Sequence, residues 1–231
     1  MIDVVYVLGT GSRFKNHEIR FSLRSVEKHL QNVGNIWIVG EHHPQLTGVN
    51  FIPYPDKTKY PASNIMYKIT RACEDQAISD NFLFVNDDHY LLQDFDAETF
   101  PYYYNGTIKE FIRMRGADQY TKQVGNTLKY LESKGLPTKF FDVHYPIIFN
   151  KFQFLDSVTP AIDWHTSPCV VKSLYANSLK IEGIKECDFK TDKAPPKSAK
   201  VFSTGTRVTS AIQRFLLEQF PNKSRYELRD F

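Results

Sequence analysis

The chain has 231 residues, 24% of them charged and 42% hydrophobic, with a net charge of +3. These proportions exclude disordered, collagen-like and coiled-coil classes, and the length suits one domain with a core of its own. No apolar run approaches the roughly 18 residues of a membrane helix. The charge alone is too small to identify a nucleic-acid binder.

Ile2 to Leu8 is a valine-rich run, apolar except for Asp3, and predicts a buried strand. It reads as a strand, not as a secretory signal. Gly9-Thr10-Gly11-Ser12 follows directly. Residues 16–31 predict a helix, with Ile19, Leu23, Val26 and Leu30 on one stripe and Asn16 as its N-cap. Residues 36–39 and 49–52 predict two more short strands, closed by Gly40 and Pro53. Ser63 is expected to cap a helix that turns Ile65, Ile69, Ala72 and Cys73 inward. Phe82 to Val85 is the fourth strand and the most apolar.

The texture changes after residue 95. Phe100 to Tyr104 is an aromatic cluster, and residues 107–139 hold seven Lys or Arg against three acids. Phe140 to Phe149 is strand-like but interrupted by Asp142, His144 and Pro146. Residues 151–182 read as mainly helical with a break near Pro160. Residues 185–200 read as a charged loop, and 208–220 as a last amphipathic helix. Alternating strands and helices predict an α/β fold. We expect a single domain over 1–231, with a nucleotide-binding half (1–95) and a more variable acceptor-side half (96–231). Cys73, Cys169 and Cys187 show no metal-ligand spacing and cannot all pair, so a reducing, cytoplasmic setting is expected.

The sharpest chemical signal is Phe82 to His89, where a strand ends in Asn86-Asp87-Asp88-His89. Ligands of open α/β sheets bind beyond the carboxyl ends of strands. Adjacent carboxylates repel, and Mg²⁺ or Mn²⁺ would relieve the repulsion while accepting phosphate oxygens as further ligands. Asp87, Asp88 and His89 are therefore candidate metal ligands; the plain alternative is a polar turn. Gly9, Thr10 and Gly11 form a candidate phosphate loop, because glycines admit close approach and the amides before a helix favour anions. A simple tight turn fits equally. Arg20 and Arg24, one helical turn apart, would be reconciled by a shared phosphate, or are ordinary solvated charges. Asn64 and Lys68 lie near a helix start where a nucleotide phosphate could dock, or on an exposed face. Asp142 and His144 share one side of a strand-like segment and are candidates for the general base. No nucleophile elbow and no His-Glu-x-x-His occurs, which disfavours hydrolases of those classes.

Read together, Asp3 to Val7, Asn16 to Glu27, Ile36 to Gly40 and Phe82 to Asp88 resemble blocks of the Stealth sugar-phosphate transferases, as His144-Tyr145-Pro146 followed by Asn150-Lys151 does. The same segments resemble small glycosyltransferases of the GT-A type found in phage genomes. The first Stealth block continues with Trp-Val-Asp-Gly, where this chain has Leu8-Gly9-Thr10-Gly11. That departure favours ordinary glycosyl transfer. The resemblance implies a Rossmann-like GT-A core with a mainly parallel sheet, a nucleotide-sugar donor such as UDP-glucose, and metal at Asp87 and Asp88. Asp88, with Asp142 or His144, would then carry the chemistry. It also implies an acceptor hydroxyl, with hydroxymethylated pyrimidine in duplex DNA the leading expectation. Tyr102 to Tyr104 and the basic stretch would serve base stacking and phosphate tracking. Competing expectations are a capsular or envelope glycan acceptor, hexose-1-phosphate transfer, and a non-catalytic nucleotide- or sugar-binding module.

Overall fold

The computed structural model describes residues 1–159, 162–205 and 208–229. In chain order the main elements are β1 (Ile2–Leu8), α1 (Glu18–His29), β2 (Val33–Gly40), β3 (Asn50–Pro53), α2 (Pro61–Glu74), β4 (Asn81–Asn86) and β5 (His89–Leu91). They continue through α3 (Ile108–Arg115), α4 (Gln119–Ser133), β6 (Ile147–Asn150), α5 (Lys151–Ser157), α6 (Val171–Ser178), β7 (Val201–Thr204) and α7 (Ser210–Gln219). The central sheet has the order β3-β2-β1-β4-β6. Its first four strands are parallel and β6 closes the edge antiparallel to β4. The fold is thus α/β with a mainly parallel sheet, as the alternation predicts. Val4 to Leu8 and Phe82 to Val85 are buried because both faces of these strands are covered. A smaller sheet sets β7 against β5 and, on its other side, Lys190–Thr191.

Strand order reverses between β1 and β4. Connections leave β1 toward β2 on one side and reach β4 on the other, so the carboxyl ends of this pair open a crevice. Gly40 draws the neighbouring strand end in. Its φ of +131° suits glycine, and a Cβ there would run into the Leu8 carbonyl. Among the described residues, no helix is long and apolar enough to cross a membrane.

Several local expectations are corrected. Asn16 does not cap α1: it has φ +58° and its Nδ2 donates to the Gly9 carbonyl at 3.1 Å. His17 occupies the cap position, without a side-chain cap bond. Tyr60 precedes α2, and Ser63 sits inside its first turn, donating to the Trp164 carbonyl at 2.6 Å. Only Ile147–Asn150 of the segment 140–149 is a strand, because Phe141 and Asp142 amides turn aside to Ser173 Oγ. The break expected near Pro160 lies outside the described residues. Of Tyr102 to Tyr104, the first and last are half-buried and the middle one is interior. Tyr103 is buried with its ring 4.4 Å from that of Tyr145, and the Tyr102 hydroxyl donates to the Ile148 carbonyl.

Candidate functional site

The crevice holds a cavity of about 580 Å³. Gly9 to Ser12, which follow β1, and Asn86 to Asp88, which follow β4, face each other across it. Asn64 and Lys68 of α2, Asp56, and Glu18 at the start of α1 complete the walls. The structure therefore brings Gly9, Thr10, Gly11, Asn64, Lys68, Asp87 and Asp88 around one crevice.

Asp87 and Asp88 share a wall with Glu18. Burial first, then repulsion from Asp88 and Glu18, holds the Asp87 carboxyl well above the ordinary carboxylate range. Glu18 is also raised, by burial foremost and with Asp88 adding to it, although Ser12 Oγ donates to its carboxylate at 2.9 Å. Asp88 Oδ2 accepts from Ser203 Oγ at 2.6 Å and lies 3.9 Å from Lys190 Nζ. The donor set is all hard oxygen, and its mutual repulsion is what a divalent cation relieves. Among the described residues, however, no group of three or more His, Cys, Asp or Glu is placed to hold a metal ion. Asp87 and Asp88 fit such an ion only if waters and phosphate oxygens supply its other ligands.

The triad of Asp87, Asp88 and His89 expected from the sequence is not assembled. His89 does not line the cavity and is fully buried on β5, where its Nδ1 accepts from the Asn86 amide at 3.3 Å. Burial foremost, with Lys172 and His144 nearby, pushes its pKa well down, so it is neutral. Its Nε2 has no hydrogen-bond partner among the described residues.

Arg20 and Arg24 also lie away from the cavity. Both forks close on Glu227 of the C-terminal segment, each Nε 2.7 Å from a carboxylate oxygen, with all three side chains buried. Arg20 further donates to Gln45 and the Arg229 carbonyl, and Arg24 to the Phe220 carbonyl. The like charges that suggested a phosphate are satisfied by one internal carboxylate. Lys68 lines the cavity, but its buried ammonium donates to the Leu8 carbonyl at 2.6 Å and to Asp56 at 2.5 Å. Asn64 clamps the approach to α2, accepting from the Lys57 and Thr58 amides and donating to the Thr58 carbonyl. These two residues shape the wall more than they offer free charge. Gly9 lies close to Asp56, whereas a Cβ on Gly11 would meet nothing within 4 Å. Among the described residues, the space beside Gly11 is open.

A second cavity, of about 340 Å³, adjoins the first and shares Ile65, Asn86 and Lys190 with it. Phe84, Phe111, Tyr120 and Phe140 give it apolar walls; the Phe111 and Phe140 rings stack at 4.1 Å. Asp142 and His144 both line it, as their spacing predicts. Asp142 serves α6: its carboxylate accepts from the Ser173 amide at 2.9 Å and the Lys172 amide at 3.4 Å. Burial is the main reason its pKa is raised. His144 Nδ1 lies 2.9 Å from Asp188 Oδ2, and the His144 amide donates to Asp188 Oδ1. Burial pushes Asp188 up, but the hydrogen bonds from the His144 ring and amide, with Lys172 nearby, outweigh it, and the carboxyl is held below its ordinary range. His144 Nε2 lies 3.1 Å from Lys190 Nζ. Asp188, Lys190, Glu18 and Asp56 carry no site signal of their own in the sequence, whereas Ser203 belongs to the hydroxyl-rich run Phe202 to Thr206, which reads as a helix cap or a cover for a phosphate. The Asp188-Phe189-Lys190 alternation in an otherwise loop-like stretch was the available signal.

The basic stretch is partly neutralised, by Lys109–Glu132 and Arg115–Asp118 pairs at 2.7 and 3.1 Å. Arg115 also lies over the Phe111 and Tyr120 rings. A third hollow of about 380 Å³ is lined by Lys122, Gln123, Asn126 and Lys129 of α4 and by no acidic residue.

No protein-family model matches the chain, and no curated protein matches it. Among solved structures it is similar to an active-site mutant of LgtC at 11% identity and a TM-score of 0.47, over 97% of this chain and 98% of that one.

Proposed function

We propose that the chain is a glycosyltransferase that moves a sugar from a nucleotide-sugar, with a UDP-sugar as the expected donor, to an acceptor hydroxyl. The observation that carries this reading is the pair of joined cavities. One places Asp87 and Asp88 at the carboxyl end of β4, opposite the open loop Gly9 to Ser12; the other places His144 and Asp188 among aromatic walls. Asn86 and Lys190 stand where the two meet.

In this reading Asp87 and Asp88 would hold Mn²⁺ or Mg²⁺. The ion, when bound, supplies Lewis-acid stabilisation of the departing phosphate. Arg13 and Lys59, which line the first cavity, and the amides of Gly11 and Ser12 receive the phosphates, since the Thr10 amide already donates to Asp56. In an inverting transfer, the acceptor oxygen bonds to the anomeric carbon as the bond from that carbon to the phosphate oxygen breaks. The nucleoside diphosphate leaves, and the hydroxyl proton passes to His144 Nε2. Asp188 orients the ring and stabilises the imidazolium that forms. Asp142 is occupied with the α6 amides, so the base assignment falls on His144.

For the acceptor, the second cavity has the size and aromatic walls of a pocket for one ring. The acid-free hollow along α4 offers Lys122 and Lys129 to a phosphate backbone. Together with the phage-type sequence resemblance, these features favour a hydroxymethylated pyrimidine flipped from duplex DNA. A capsular or envelope glycan is the competing acceptor. Hexose-1-phosphate transfer is separated by product mass, since it adds a sugar-phosphate in place of a sugar.

The test is a thermal-shift panel of nucleotide-sugars with and without Mn²⁺. A ligand that binds only the folded chain raises its midpoint by mass action. A UDP-sugar is expected to raise it in the presence of the metal, and the absence of any shift across the panel overturns the donor site.

A further inference from the structure

Lys190 carries the charge among the three residues, with Ile65 and Asn86, that line both halves of the proposed site. Its backbone is fixed, because Lys190–Thr191 pairs in parallel with Ser203 and Thr204 of β7. From there its side chain, nearly half exposed, lines both cavities. Its ammonium lies 3.9 Å from Asp88 Oδ2 and 3.1 Å from His144 Nε2.

The chemistry of this contact fixes the state of the histidine. An ammonium can only donate, so His144 Nε2 must present its lone pair. The ring proton then sits on Nδ1 and is donated to Asp188, 2.9 Å away. The lone pair that Lys190 occupies is the one an acceptor hydroxyl would need. The contact with Asp88, by contrast, is longer than a hydrogen bond and rests on charge alone. The ammonium is thus held chiefly by a neutral imidazole. A diphosphate entering the first cavity offers the ammonium anionic oxygens, adding the attraction of full negative charge that the neutral imidazole lacks.

We propose that Lys190 is a positioning residue that masks His144 Nε2 until the diphosphate of the donor draws its ammonium away, so that the acceptor base is exposed only after the donor has bound. The inference rests on the donor-site reading, and it makes donor binding precede acceptor activation. The lysine then does two jobs in sequence. It first keeps the imidazole in the tautomer ready to accept a proton, and then moves to the leaving group.

Site-resolved carbethoxylation by diethyl pyrocarbonate, read by mass spectrometry at His144, tests this without any turnover. In the nucleotide-free protein, Lys190→Met is expected to speed modification of His144 on the order of tenfold, the factor for one lost hydrogen bond to a charged donor. Lys190→Arg, which still donates, should keep the slow rate. Adding UDP with Mn²⁺ should raise the wild-type rate toward that of Lys190→Met and leave Lys190→Met without a rise. Equal rates in wild type and Lys190→Met before nucleotide is added overturn the masking. So does a wild-type rate that fails to rise while UDP and Mn²⁺ do raise the thermal midpoint, and that outcome leaves the donor site standing. Unchanged midpoints across the whole nucleotide panel would instead remove the donor reading on which the release step depends.

Discussion

Ser203 on β7 donates to Asp88 Oδ2 at 2.6 Å. The second carboxylate of the acidic pair is therefore aimed by a strand 115 residues further along the chain, from the small sheet that also carries Lys190. Asp87 is left to face Asp88 and Glu18 across the cavity wall.

That relationship separates stability from activity. Asp87→Asn removes a carboxylate whose neighbours repel it, so the metal-free protein is expected to gain about 1 kcal/mol, or roughly 2–4 °C in midpoint for a chain of this size. Asp88→Asn should lower turnover by at least about 100-fold, the scale of one lost electrostatic contact to the transition state. Full activity of Asp88→Asn, or of the wild type in excess chelator, would falsify the metal proposal.

The two base candidates separate by kinetics. His144→Ala should cost about 10²–10⁴ in kcat, the usual worth of general-base catalysis. Asp142→Ala should cost about 1 kcal/mol of stability through the lost α6 amides, with a much smaller effect on kcat. The reverse pattern, with kcat collapsing only in the Asp142 variant, transfers the base role to Asp142.

Glu227 ties the C-terminal segment to α1 through Arg20 and Arg24. Burial pushes its carboxyl up, but hydrogen bonds from Arg24, Ser224 and Arg20 outweigh this and hold it below the ordinary range. A depressed carboxyl contributes stability above its unfolded pKa and loses it as pH falls through the folded value. The wild type should therefore weaken as pH drops below about 4.3. Glu227→Gln should cost about 3–5 kcal/mol at neutral pH, because two buried guanidinium groups lose their counter-charge. It should also be less sensitive to acid. Urea melts of both proteins between neutral and acid pH decide the matter, and parallel acid slopes would refute the assignment.

Gly40→Ala is expected to destabilise the chain by about 1–3 kcal/mol, since φ +131° and the nearby Leu8 carbonyl leave no room for a Cβ. Thermal melts check this; an unchanged midpoint would mean that the ends of β1 and β2 can separate without loss.

If duplex DNA is the acceptor, binding should weaken steeply with salt. Lys122→Gln and Lys129→Gln should each reduce the slope of log affinity against log salt by about one. A salt-insensitive interaction, or none, points to a glycan acceptor instead.

The parallel core was legible in the sequence. Strands buried on both faces read as unbroken apolar runs, and Val4 to Leu8 and Phe82 to Val85 are such runs. The positions of Gly9 to Ser12 and Asp87-Asp88 followed, because ligand loops of such sheets sit just past the strand ends. The partners of individual charges were not legible. Periodicity places Arg20 and Arg24 beside the apolar stripe of α1, but only the returning C-terminal segment brings Glu227 to them. His89 follows the acidic pair in sequence yet turns into the interior on β5. Asp188 and Lys190 reach the site from a stretch that reads as loop, anchored by pairing with β7. Local sequence determines which face of an element is apolar; which charge meets which is decided by packing between segments distant in the chain.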